Sequence, residues 1–318
     1  MKTFWQRIKS HTVILFAVFF LILPFFLTNN YAVYVVNRGL TNAIVVIGLV
    51  ILYGIAGQIS LGHVAFFAIG AYSSAILSAT YHVPVPLSIL LGILISCVFG
   101  VLLSIPAFKL SGPFLSICTV AFGEVIRQLV LNMEGLTGGP YGFNNIPPLS
   151  IFGYNIRNER IWYYILLAFT IVMAVVGMRI KRSHFGRALY AIKEDEIAAE
   201  IMGINIRRMK TFAFISAAFF AGLAGALYAH FAGFLSQEIV ASDQSFNLFS
   251  MAVLGGTDSI IGGLWSGVTL TVAPEIMRFL QEYYIMILNF IVLLVVLVPW
   301  SKMIENFKNK FVHRSKAV

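Results

Sequence analysis

Charged residues are what this sequence has least of: Asp, Glu, Lys and Arg make up 11% of its 318 residues, where a soluble domain carries about a quarter. Cysteine is nearly absent as well, at two residues, Cys97 and Cys118. Both fall inside apolar stretches with no His or acid at metal-ligand spacing, which points to buried structural thiols. Several chemistries have no residues to run on. There is no glycine–lysine phosphate loop, so ATP is not bound by that route. There is no nucleophile elbow, no His-Glu-x-x-His, and no close pair of carboxylates inside an apolar run such as a proton relay needs. These absences count against a hydrolase and an ion-driven carrier, and no catalytic residue, metal or cofactor is expected.

Apolar residues are abundant. They make up 59% of the chain, with 28 Phe and a mean hydropathy of +0.88. The expectation is an all-α, polytopic integral membrane protein in contact with lipid. A net charge of +9 would suggest nucleic acid in a soluble chain. Here the basic residues flank membrane-length runs, so the positive-inside bias accounts for them and no nucleic-acid partner is expected.

Six runs precede a polar island at 179–210: Thr12–Thr28, Gly39–Ala56, Val64–Thr80, Leu87–Phe108, Phe114–Leu131 and Ile161–Met178. The first is 17 residues, about 26 Å as helix and just enough to cross. It follows Lys2, Arg7 and Lys9 with no small-x-small cleavage site, so an uncleaved span is expected rather than a signal peptide. Thr211–Phe234, Phe246–Leu254, Ile260–Leu280 and Tyr284–Pro299 come after the island. That makes ten crossings, or eight if the short ones re-enter. Seventeen of the 22 Lys and Arg fall in 1–11, at Lys109, in 179–210 and in 302–316, which places both termini and the island in the cytoplasm. The whole chain, 1–318, reads as one transmembrane domain with no soluble domain. Gly112-Pro113-Phe114 through Glu124…Arg127 aligns without gaps on Gly263-Leu264-Trp265 through Glu275…Arg278, suggesting a parallel internal repeat.

The island holds eight basic residues and four acidic ones, Glu194, Asp195, Glu196 and Glu200. Ala188, Leu189, Ile192, Ala199, Ile201 and Met202 form an apolar series, so an amphipathic helix stopping at Gly203 is expected. Such a helix lies on a lipid surface or fills a groove on a protein. Its acidic cluster favours the protein.

Polar residues inside the apolar runs are the candidates for a pathway. Gln58-Ile59-Ser60 interrupts two apolar segments, and irregular backbone at membrane depth belongs beside a cavity or in protein; a cytoplasmic turn is the alternative. His63 reads as a helix-start residue rather than a ligand. Glu124 with Arg127, and Glu275 with Arg278, are i,i+3 pairs. Each either fixes helix packing or lines an outer mouth that meets solute or a docking protein. The segment Asn132–Arg160, rich in Gly, Pro and Asn, reads as turns and loop, and Thr137–Gly142 within it is either a docking loop or a plain solvated one.

Gly57-Gln58-Ile59-Ser60-Leu61-Gly62-His63 through Gly70-Ala71-Tyr72 resembles the signature of the branched-chain amino-acid importer permeases of the ATP-binding-cassette type. So does Gly186-Arg187-Ala188 through Lys193-Glu194-Asp195-Glu196-Ile197-Ala198-Ala199-Glu200-Ile201-Met202-Gly203. Thr137-Gly138-Gly139 and Val253-Leu254-Gly255-Gly256 fit too, and the match runs from about residue 35 to 300. The Thr-Gly-Gly loop and the long island favour the M-type of the two permease subunits. The resemblance implies a bacterial inner-membrane complex of this chain, a second related permease, two cytoplasmic ATP-binding subunits and an external solute-binding protein. It also implies that Glu196-Ile197-Ala198-Ala199, followed by Gly203, docks on an ATPase. The chain departs from the pattern at Gly139-Pro140-Tyr141 and Gly256-Thr257-Asp258. Importers of urea and short amides share the family, and they are the alternative to leucine, isoleucine and valine.

Overall fold

A computed structural model describes residues 16, 18–24, 29–110, 112–151, 154–156, 158–276 and 290. The described residues up to Glu275 form one compact unit. Its helices are α1 (Asn30–Leu49, continued by a π-helical stretch Val50–Ile55), α2 (Val64–Ala79), α3 (Val85–Ala107), α4 (Pro113–Asn132), α5 (Glu159–Arg182), α6 (His184–Glu194), α7 (Glu196–Ile201), α8 (Ile206–Ala232), α9 (Ser242–Leu254) and α10 (Ile260–Ile276). Five of them, α1 with its continuation, α3, α4, α5 and α8, are long and apolar enough to cross a membrane. The protein is an all-α polytopic membrane protein.

Chain chemistry sets the ends. Asn29, Asn158 and Asn205 cap α1, α5 and α8 by accepting from the backbone N–H of Tyr31, Arg160 and Arg208, the ordinary role of Asn at that position. Pro113 opens α4 where its missing N–H costs nothing. Arg179, Lys181 and Arg182 close α5, where cations offset the helix dipole.

α1 and α8 lie at the centre, buried on nearly all sides, while α4 is the most exposed of the five. α8 packs chiefly on α2 and α3, and α1 on α5 and α8. The α8 faces are small: Ala217, Ala218, Ala221, Ala224 and Ala226 are all fully buried. Small residues let backbones approach where lipid offers no hydrophobic drive. A Cβ added at Gly70 would stand 2.3 Å from the carbonyl oxygen of Gly222. Among the described residues, most buried polar groups in this block are paired, the Tyr72 hydroxyl being an exception. The Ser96 hydroxyl reaches both the Phe66 carbonyl (3.1 Å) and the Ala218 carbonyl (3.0 Å), joining α3, α2 and α8. His230 Nδ1 lies 2.7 Å from the Pro147 carbonyl, which only accepts, so Nδ1 carries the proton and Nε2 accepts from the Ser74 hydroxyl at 2.9 Å.

Four expectations need correction. The second run begins at Asn30, nine residues before Gly39, because Asn29 caps a helix instead of ending a loop. The run expected at Phe246 starts at Ser242, and its 13 residues reach about 20 Å, short of the roughly 30 Å hydrocarbon core. The segment 132–160 is not all loop. It contains a helical turn Glu134–Thr137, a 3₁₀ turn Gly139–Tyr141 and a two-residue antiparallel ladder pairing Ser150–Ile151 with Tyr154–Asn155. The island is two helices rather than one: Asp195 is extended (φ −156°, ψ 110°), ends α6 and caps α7 through Ala198 N–H at 3.0 Å. The described part of each aligned stretch is mostly helical, but Gly112 sits in the turn before α4, whereas Gly263 lies inside α10. Of the expected Thr12–Thr28 span, Phe16 and 18–24 are helical. The run Tyr284–Pro299 lies, apart from Phe290, outside the described residues.

Candidate translocation and coupling site

The break between α1 and α2 separates two cavities. α1 loosens into π-helix at Val50–Ile55, a distortion common at functional positions. Gly57 then turns the chain at φ +70°, and residues 58–63 run without helix to the start of α2. Neighbouring helices hold this stretch from the side. Leu61 N–H donates to Thr119 Oγ1 of α4 at 3.0 Å, and Val64 N–H to Ser245 Oγ of α9 at 3.3 Å. A Cβ at Gly62 would sit 1.8 Å from the Thr119 carbonyl oxygen, so no other residue fits that approach.

On the island side lies a cavity of about 460 Å³ lined by Gln58, Ile59, Lys193, Asp195 and Glu196 among others. Toward the far ends of α1 and α8 lies one of about 270 Å³, lined by Tyr34, Arg38, Val64, Phe67, Tyr228 and Glu238 among others. Ser60 and His63, which fall in the chain between Ile59 of the first lining and Val64 of the second, are fully buried. The Gln58 Oε1, the Ser60 hydroxyl and both His63 nitrogens have no hydrogen-bond partner among the described residues. His63 occupies the N-cap position of α2 but makes no capping bond. Leaving such groups buried and unpaired costs about 1–3 kcal/mol each. The Tyr72 hydroxyl, two turns into α2, is another buried group with no partner among the described residues.

The island is tied to the membrane helices by three lysines. Lys193 of α6 donates to the Gly54 carbonyl in the π-helical stretch at 2.8 Å, and its stem lies over Gly57. Lys210, buried at the foot of α8, pairs with Glu196 of α7 at 2.8 Å. Lys181 at the end of α5 pairs with Asp258 at 2.9 Å. Leu189, Ile192 and Ala199 are buried against the bundle, and Gly186 is buried with them. The apolar series does not stay on one face, however. Ile201 and Met202 point outward at 81% and 82% exposure, joined by Ile197 at 73%. Arg187, Glu194, Asp195 and Ala198 are exposed beside them, and Gly203 follows α7 at φ +84°.

Glu124, Arg127 and Glu275 line neither cavity. Glu124 and Arg127 pair at 3.1 Å on α4, with Gln128 also donating to Glu124 at 2.8 Å. Glu275 accepts from the Tyr31 hydroxyl at 2.9 Å, and Arg278 lies outside the described residues. The residue that sequence reasoning missed is Arg38. It is the one charge in the 26-residue span Asn30–Ile55. Beginning that span at Gly39 had left Arg38 in a flank, where a cation draws no notice.

A bundle with two cavities and an interrupted helix carrying buried, unpaired polar groups defines a class: a polytopic all-α membrane protein. Comparison makes the class specific. The model of the branched-chain amino acid transport system permease component matches residues 31–297, and the chain belongs to that family. It is 32% identical over 295 residues to the high-affinity branched-chain amino acid transport system permease protein LivM of Salmonella typhimurium, covering 86% of this chain and 69% of that protein. Escherichia coli K12 LivM is 33% identical over 274 residues, 79% of this chain and 64% of that protein. Thus this chain spans about two thirds of their length. LivH of Salmonella typhimurium, a second permease protein of that name, is 30% identical over 282 residues, 82% and 90% of the two chains. No solved structure matched.

Proposed function

We propose that this chain is one of two permease subunits of an importer that moves branched-chain amino acids across the bacterial inner membrane, driven by ATP hydrolysis on partner subunits. The island and both termini face the cytoplasm, and a solute-binding protein delivers solute at the far ends of the helices. The likeness to both LivM and LivH supports a pair of related permeases.

The observation that carries the mechanism is the Lys193–Gly54 bond between α6 and the stretch leading into the break. Ile197, Ile201 and Met202 form an apolar face left exposed among the described residues, and burying each in an ATPase groove contributes about 1.5–3 kcal/mol. A push on α7 reaches α8 through Glu196–Lys210, and a push on α6 reaches α1 through Lys193. Both α1 and α8 extend to the far cavity, so the two feet move its walls. Gln58, Ser60 and His63 gain water or solute as partners when one cavity opens into the break.

Uptake of labelled leucine into proteoliposomes holding the full complex tests this reading. It should require ATP and survive collapse of the proton gradient. Ala198→Trp, at an exposed site, should abolish uptake while leaving insertion intact. Uptake that follows the proton gradient without ATP would overturn the importer, and full activity of Ala198→Trp would overturn the docking role.

A further inference from the structure

The far cavity holds two opposite charges that do not satisfy each other. Arg38 of α1 and Glu238 of the 3₁₀ turn Gln237–Val240 both line it, and neither forms a salt bridge to any described residue. Arg38 lies eight residues into α1, about 12 Å along the helix. Both side chains are exposed in this chain, so they face water or a ligand rather than hydrocarbon, where a charge costs a few kcal/mol. Val64, Phe67, Ile239 and Leu248 give this cavity an apolar wall within a lining that is otherwise mainly polar. The volume of about 270 Å³ suits a single small molecule.

We propose that this cavity is a binding site for the zwitterion of an aliphatic α-amino acid: Arg38 takes the carboxylate, Glu238 the ammonium, and the apolar wall the side chain. A guanidinium offers a planar fork that fits a carboxylate, and a carboxylate accepts from an ammonium. A neutral solute such as urea or a short amide would offer neither group a counter-charge, leaving both to water. The proposal rests on the importer reading and narrows it to solutes with both charges. Val64, which lines the cavity, is the first residue of α2, so a molecule bound here sits against the far side of the break.

The test is photo-labelling of the full complex in nanodiscs with a diazirine analogue of leucine, without ATP. Label should fall on peptides containing Val64, Phe67 or Leu248, and L-leucine should displace it while leucinamide, which lacks the carboxylate, should not. Arg38→Gln and Glu238→Gln should each weaken labelling about tenfold or more, the scale of a lost charge-assisted hydrogen bond, and Arg38→Lys should recover part of it. Label elsewhere, displacement by leucinamide as good as by leucine, or unchanged labelling in both variants would overturn the site. So would loss of the second permease from the Arg38→Gln complex with normal labelling in Glu238→Gln, which would assign the charges to a subunit interface. Labelling needs no hydrolysis, so its failure is separate from a failure of ATP-driven uptake.

Discussion

The α2–α3–α8 block and the break beside it obey opposite rules. In the block, Ser74, Ser96 and His230 each have partners, the Tyr72 hydroxyl being the exception, and backbones touch through Gly70 and Gly222. In the break, Ser60 and His63 are equally buried yet have no side-chain partner among the described residues. A satisfied, close-packed interface has one good arrangement. A stretch with unpaired polar groups sits near a second arrangement in which those groups are met. On the importer proposal, the contrast separates a rigid frame from the part that moves.

The largest effect should come from the frame. Gly222→Leu would drive a side chain into Ser96, whose Cβ stands 2.6 Å from the added Cβ, and overpacking of this kind costs about 3 kcal/mol or more. Little folded protein should survive a thermal-shift assay in detergent. Lys193→Met should act on the moving part instead. It keeps the stem over Gly57 but removes the bond to Gly54, and leucine uptake should fall about tenfold while the complex assembles and hydrolyses ATP.

One substitution made in both regions sharpens the contrast. Ser96→Ala removes bonds joining three helices and should cost about 1 kcal/mol. Ser60→Ala removes an unpaired hydroxyl, and the melting temperature should hold or rise. Equal losses at the two sites would erase the distinction. The smallest effect belongs to Glu124→Gln, whose pair is partly exposed, 35% for Arg127 and 42% for Glu124. A change of at most about 1 kcal/mol is expected, with uptake unaltered.

The island, the break and the interrupted helix at Gly57 were legible because charge, glycine and turn residues interrupt apolar runs. The tilt of the island was not. Asp195 resets the helical phase, so Ile201 and Met202 leave the face of Leu189 and Ile192, and no 3.6-residue count carried through Asp195 could show it. Lys193 and Lys210 were read as flanking charge that sets sidedness. A bond to a backbone carbonyl 139 positions away, such as Lys193 to Gly54, leaves no mark in local sequence. Arg38 was hidden by one misplaced boundary, since a lone cation is informative only once it falls inside a span.

The central claim is that residues 58–63 form the closure between the two cavities. Ser60→Cys, in a chain whose two native cysteines are replaced by Cys97→Ala and Cys118→Ala, tests it most directly when the assembled complex is probed with a membrane-impermeant thiol reagent from each side. The account predicts protection at rest and modification that depends on the nucleotide bound by the partner subunits. Modification that is the same in every nucleotide state would contradict it.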